Sequence, residues 1–262
     1  MNFTLITGAS SGIGEAFARR LASDEHNLVL VARSEEKLRL LCDELEKDHQ
    51  IECRYIAIDL TQPNADDRIL EETERSGWTI DWLINNAGFG SSGDFADLAL
   101  ERELQIIDLN ISALVALTHR YLQGMRKSRS GTIINVSSAA GFQPIPFMAT
   151  YAASKAFVSS FTEAIAEENR PFGIRILALC PGSTKTNFFA ASNIERPIQV
   201  KGQQTVDQVV DTAMKAVGQG RTKIVSGWAN YLGAIAGTLV PNSVSSRVMA
   251  KALRARHQKR PL

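Results

Sequence analysis

Cysteine, histidine and long apolar runs are all in short supply in this chain. The three cysteines, Cys42, Cys53 and Cys180, are odd in number and never in Cys-x-x-Cys spacing. That excludes a disulfide framework and a thiolate zinc site, and it fits a reducing compartment. The four histidines, His26, His49, His119 and His257, stand far apart without ligand spacing, so no metal site is expected. No uncharged run is expected to reach the ~20 residues that a membrane span requires. The first strand-like run already begins at Phe3, which leaves no room for a signal peptide, and a cytoplasmic protein is expected. An excess of one charge is missing too. With 29 Lys/Arg against 28 Asp/Glu the net charge is +1, which points to neither nucleic acid nor a strongly acidic partner.

What is present is an alternation. Short β-branched and Leu-rich runs at residues 3–7, 28–32, 51–57, 82–85, 132–136 and 174–179 alternate with helical patterns at 13–23, 35–48, 66–76, 104–123 and 152–169. In the second of these helices Leu38, Leu41 and Leu45 recur at helical spacing behind Ser34 in the N-cap position. Short, uniformly apolar strands between helices predict a parallel sheet covered on both faces, a doubly wound α/β fold of the Rossmann type. The 262 residues suffice for one such domain with a large core, and no linker interrupts residues 1–182. After Pro181 the alternation loosens into a loop near 182–204, a helix at 206–217, a strand at 223–225 and an apolar, Gly-containing stretch. Residues 183–262 are therefore read as an elaboration of a single domain spanning 1–262.

The first strand runs into TGASSGIG, residues 7–14, and then a helix. Gly8, Gly12 and Gly14 permit a tight turn whose backbone N–H groups, with Ser10, Ser11 and Ile13, can approach a pyrophosphate at the positive end of the helix. A glycine trio alone is a weak signal. At the first strand-to-helix junction of a βαβ pattern it becomes a nucleotide-binding signal. The second strand ends in Ala32, Arg33 and Ser34, where an NAD-binding domain usually places an acid for the ribose 2′-OH. A guanidinium there pairs with a 2′-phosphate, so NADP is preferred over NAD. Glu35 and Glu36 complicate that reading, unless they point outward in the first helical turn, where the helix dipole favours acids.

Tyr151 and Lys155 are four apart in a helical pattern and share a face. An ammonium ~4–5 Å from a phenol stabilises phenolate by roughly 3–4 kcal/mol at an effective dielectric of ~20. That is enough to bring a pKa of ~10 toward 7, where a general acid/base works best. Taken alone the pair is common. It is joined by Ser138 thirteen residues earlier, by Asn110, by Asn85, Asn86, Ala87 and Gly88 after the fourth strand, and by Pro181 and Gly182 after the sixth. All but Asn110 fall near the carboxyl ends of strands or at the start of the following helix, where such sheets bind ligands. No Gly-x-Ser-x-Gly elbow supports a hydrolase.

With these residues in this order, the chain resembles the short-chain dehydrogenase/reductase family in its compact single-domain branch. The resemblance covers residues 3–186 and rests on TGASSGIG, Asp59, the NNAG of residues 85–88, Asn110, Ser138, Tyr151, Lys155 and the PGSTKT of residues 181–186. It implies an NADP(H)-dependent oxidoreductase that moves a hydride between nicotinamide and a carbonyl or alcohol carbon. Tyr151 would carry the proton, and Ser138 would orient the substrate oxygen. Lys155 would hold the nicotinamide ribose and lower the Tyr151 pKa, and Asn110 would position a water linking Lys155 to solvent. Asp59 and Leu60 would face the adenine, Asn86, Ala87 and Gly88 would run along the cofactor, and Pro181, Gly182, Thr184 and Thr186 would fix the nicotinamide end. Ser137 is the nearest rival to Ser138, but the thirteen-residue spacing favours the latter. Sugar-nucleotide epimerases of the extended branch usually carry a larger C-terminal lobe than residues 183–262 provide. A catalytically silent nucleotide-binding or sensing protein of the same fold is the alternative, and the complete residue set argues against it.

The family places the segment after strand six over the nicotinamide. Phe188, Phe189, Ile194 and Ile198 there, with Phe142, Pro144, Pro146, Phe147 and Met148, fit an apolar substrate or, equally, core packing and a homodimer or homotetramer interface. The last twenty residues carry six Lys/Arg and no acid, with Val244, Val248, Ala252 and Leu253 at rough helical spacing. Such a segment can lie on anionic lipid. The reading preferred from sequence is a docked helix with a solvated basic end.

Overall fold

The computed structural model describes residues 1–186, 188, 192 and 203–257, with side chains through Arg254. Seven parallel strands form one sheet in the order β3-β2-β1-β4-β5-β6-β7. The strands are β1 (Asn2–Thr7), β2 (Leu28–Ala32), β3 (Cys53–Ala57), β4 (Thr79–Asn85), β5 (Gly131–Val136), β6 (Ile174–Cys180) and β7 (Lys223–Val225). Because successive side chains on a strand point to opposite faces, each apolar run feeds two cores. Ile6, Leu28, Leu30, Ile134 and Leu177 face one layer, with α1 (Gly12–Ser23), α2 (Glu35–Asp48) and α7 (Val206–Gly218). Leu5, Val29, Val31, Ile133 and Ile176 face the other, with α3 (Ala65–Arg75), α5 (Leu114–Ser128) and α6 (Ala149–Asn169). This is the doubly wound sheet expected from the sequence. Strand order reverses at β1, whose neighbours are β2 and β4, and sheets of this topology open a crevice at that point, at the carboxyl ends of the strands.

Three local features depart from the sequence reading. The helix expected at 104–123 begins earlier, as α4 (Leu100–Ile107), and reaches α5 only through a wide π turn, Asp108–Ala113. Wide turns of this kind are rare and concentrate at functional sites; this one holds Asn110. Cys42 and Cys53, read as scattered, meet between α2 and β3 with their sulfurs 2.8 Å apart. The apolar stretch beyond β7 folds as α8 (Trp228–Leu239), followed after Pro241 by α9 (Asn242–His257). Residues 224–246 are in fact uncharged over a length that could span a bilayer, but Gly, Asn, Ser and Pro interrupt them. Among the described residues no helix is long and apolar enough to cross a membrane.

Candidate active site

The crevice is floored by the turn after β1. The Thr7 hydroxyl accepts the backbone N–H groups of Asn86 (2.9 Å) and Ala87 (3.0 Å), tying β1 to the chain leaving β4. The Asn86 side-chain amide donates to the carbonyls of Thr7 (3.0 Å) and Gly8 (3.2 Å). Gly8 adopts φ +65°, which L side chains rarely tolerate, and a Cβ on Gly14 would lie 2.3 Å from the Gly8 carbonyl oxygen. Glycine at both positions lets α1 start hard against the strand. Ser11 caps α1 with no side-chain bond to its first turn, so its hydroxyl and the early N–H groups of the helix face the crevice together. This cradle fits a pyrophosphate. Ile13 packs into the core below it, and the Thr186 side chain crosses its mouth against Gly12.

At the end of β2 the Arg33 side chain is 77% exposed, with its guanidinium 3.9 Å from Asp59. The other oxygen of Asp59 accepts from the backbone and hydroxyl of Thr61 at 2.9 and 2.8 Å. Asp59 thus fixes its own turn while Leu60 is buried beneath it. Ser34 caps α2 without a side-chain bond, and Glu35 and Glu36 are exposed on its first turn.

Deeper in the crevice Tyr151 and Lys155 are both buried on α6, with the ammonium nitrogen 5.9 Å from the phenol ring centroid. Lys155 donates to the Val136 carbonyl at 2.8 Å, a main-chain partner that side-chain identities could not announce. Ser138 leaves β5 in extended backbone; its hydroxyl accepts from the Ala140 N–H at 3.1 Å and reaches Tyr151. Ser137 turns the other way, donating to the Lys155 carbonyl and meeting Ser159. Of the two serines only Ser138 reaches the phenol.

Burial dominates the electrostatics. It raises the Tyr151 pKa above that of a free phenol, with the Ser138 hydroxyl opposing the shift, and it lowers Lys155 to about 8. The depressed phenol expected from lysine proximity is therefore absent from this arrangement: the lysine charge is displaced toward Val136, and desolvation wins. Asn110 is buried in the wide turn. Its side-chain amide donates to the Phe89 carbonyl and the Ser154 hydroxyl, each at 3.0 Å, and accepts from the Phe89 N–H at 3.2 Å. The side chain clamps the chain after β4 to α6. Gly88 lies between Asn110 and Lys155.

The far wall comes from residues after β6. The Pro181 carbonyl accepts from the Ala139 N–H at 2.8 Å, and the Thr184 hydroxyl donates to the Gly182 carbonyl at 3.1 Å. The rings of Phe188 and Tyr151 are 5.3 Å apart. Gly90 and Ser192, which sequence reasoning missed, close this side: Gly90 lies against the Tyr151 ring and its N–H donates to Ser192. Phe142 belongs to the core instead, packing with Cys180, Val225 and Ala234. Phe147 holds φ +67° and its carbonyl accepts from Gly93, a strained rim residue directly before α6. Phe189, Ile194 and Ile198 lie outside the described residues.

A sequence model of the short chain dehydrogenase family matches residues 2–197. The chain belongs to the short-chain dehydrogenase/reductase family. It is therefore an oxidoreductase by family. The 7beta-hydroxysteroid dehydrogenase of Mediterraneibacter gnavus is 31% identical over 230 residues, covering 86% of each chain. The very-long-chain 3-oxoacyl-CoA reductase of Mus musculus is 31% identical over 222 residues, covering 82% of this chain and 68% of that protein. Among solved structures, a short-chain dehydrogenase from Sphingobium yanoikuyae in complex with NADPH superimposes with a TM-score of 0.82 at 32% identity, covering 90% of this chain and 93% of that one.

Proposed function

We propose that this chain is an NADP(H)-dependent reductase of apolar carbonyl compounds, or dehydrogenase of the matching secondary alcohols, with Tyr151 as its acid/base. One observation carries the reading: buried Tyr151 and Lys155 share α6, with half-buried Ser138 beside the phenol, at the end of the crevice that begins at the TGASSGIG cradle. Bound in that crevice, a nicotinamide dinucleotide supplies or accepts the hydride. The chain does the rest. The phenol of Tyr151, held protonated by burial, donates to a carbonyl oxygen, and Ser138 fixes that oxygen beside it. Lys155 holds the nicotinamide ribose and replaces the proton, through a water at Asn110. Gly8, Ser10, Ser11, Gly12, Ile13 and Gly14 take the pyrophosphate, and Asn86, Ala87 and Gly88 brace the path between. Asp59 and Leu60 border the adenine; Pro181, Gly182, Thr184 and Thr186 hold the carboxamide end.

The preference for NADP rests on the exposed guanidinium of Arg33, with Ser34 beside it, poised for a 2′-phosphate. Its solved relative in complex with NADPH supports the same choice. An apolar substrate is favoured by Phe188 against the Tyr151 ring, and by the steroid and long-chain acyl substrates in the relatives' names. Residues 1–262 are read as one catalytic unit. A homodimer or homotetramer is the expected assembly, because Leu104 and Ile107 of α4 are exposed, and Phe157 of α6 is exposed while lining a depression of about 610 Å³ with Ile111, Val115 and His119. The test is turnover of purified protein with NADPH against a panel of aliphatic, aromatic and steroid-like carbonyls. Tight NADPH binding with no turnover of any of them would instead support a silent nucleotide-binding protein.

A further inference from the structure

Helix α8 carries Trp228, Tyr231, Leu232, Ile235 and Leu239 and no charge, yet of its 12 residues only Ala234 is buried. Trp228 is 78% exposed and Leu239 79%. A helix apolar around most of its circumference is ordinarily covered, and a continuous apolar patch on a surface marks a place of contact. Helix α9 prolongs the patch. Its inner side docks on the body of the protein through buried Leu253 and through Ser245, whose hydroxyl donates to Gln143 at 2.8 Å. Its outer side presents Val244 and Val248 among Arg247, Lys251 and Arg254, all exposed. The docked helix expected from sequence is therefore half of the answer, with Leu253 on the docked side.

Charge is distributed with the same bias. All 28 acidic residues lie at or before Asp211, whereas the 51 residues that follow hold nine Lys/Arg and none. We propose that α8 and the outer side of α9 form a docking surface for an anionic lipid bilayer, lying flat in its interface. Tyrosine and tryptophan suit the boundary between headgroups and acyl chains, and basic side chains on the rim meet anionic headgroups. Twelve helical residues extend about 18 Å, too short to span a bilayer and long enough to lie in its plane. A second copy of the chain fits this surface less well. A two-fold contact sets a patch against itself, and Arg247, Lys251 and Arg254 of each copy would meet with no acid in these 51 residues to pair them.

The surface adjoins the crevice. Ala234 of α8 packs on Phe142, in the turn that follows Ser138, and Asn230 lies directly against Gly182. Docking would thus set the rim of the crevice at the bilayer, where apolar carbonyl compounds collect; that corollary rests on the proposed function, whereas lipid binding does not. The test is co-sedimentation of the full-length protein with phosphatidylcholine vesicles with and without phosphatidylglycerol, read alongside tryptophan emission. Binding to the phosphatidylglycerol vesicles, weakened by salt, and a blue shift lost in Trp228→Phe are expected. Reversing Arg247 and Lys251 to Glu should lower partitioning about tenfold or more. Leu232→Ser with Val248→Ser should remove the binding that survives salt. Retained NADPH binding verifies that the variants fold. No binding to anionic vesicles at low salt overturns the proposal. So does a soluble dimer that the Leu232→Ser, Val248→Ser variant turns into monomer, because the surface would then belong to a second copy.

Discussion

The sheet and the two C-terminal helices treat apolar side chains in opposite ways. On β2 every residue from Leu28 to Val31 is fully buried, whereas on α8 Ala234 alone is buried and Trp228, Leu232 and Leu239 face outward. Polar groups differ likewise. Between β4, β5 and α5 the Asn85 amide is enclosed and donates to both Thr118 and Asn135 at 2.9 Å. The outer side of α9 offers Arg247, Lys251 and Arg254 to solvent, beside exposed Val244 and Val248. Stability is concentrated in the first region, and the second is shaped for what lies outside the molecule.

The sharpest challenge to that division is Tyr151→Phe. It should lower turnover by about 10²- to 10⁴-fold while leaving NADPH affinity nearly unchanged, measured by steady-state kinetics and by titration. Near-normal kcat would mean that another group carries the proton. Paired substitutions test the division directly. Leu30→Ala should cost about 2–5 kcal/mol of stability, and Leu232→Ala less than about 0.5 kcal/mol, in denaturant melts. Equal losses would mean that α8 is covered in the folded protein. Arg33→Asp should weaken NADPH binding by on the order of a hundredfold or more and NADH binding far less. Parallel losses would remove Arg33 from the cofactor site.

The smallest effect is that of pH. Burial lowers Lys155 to about 8, so its ammonium is intact at neutral pH and is lost as pH rises through that value. Burial raises Tyr151, so the phenol keeps the proton that reduction consumes. Reductive turnover should hold level below pH 8 and fall by about tenfold toward pH 9, following the charged fraction of a group titrating near 8. Oxidation, which needs phenolate, is disfavoured by the raised Tyr151 pKa and should instead gain as pH rises. A reductive profile flat through pH 9 would show that the lysine charge is not used.

Much of this molecule was legible in its sequence. Strands such as β2 coincide with their apolar runs because both faces are buried, and Tyr151, Ser138 and Gly88 converge because each sits at or just beyond the end of a strand or at the start of a helix. The unread features depend on main-chain or long-range partners. The Val136 carbonyl that draws Lys155 away from the phenol has no side-chain signature. Neither has the contact between Cys42 and Cys53, nor the choice of Phe142 for the core. On α8 the apolar letters were visible, but nothing in their spacing told which would be covered, since small residues such as Ala234 make the inner contact.

The wide turn at Asp108–Ala113 has a consequence for the phase of the helices on either side. Each residue of an α-helix advances the side chains by about 100°, and a π turn absorbs one residue more than an α turn. That extra residue lets Asn110 on one side and Leu114, Leu117 and Tyr121 on the other all face inward. Deleting one residue here would therefore restore a regular helix and misalign it, swinging the core side of α5 away from β4 by about a quarter of a circle. The kink that clamps Phe89 to Ser154 thus also sets the angular register of the helix that closes this face of the sheet.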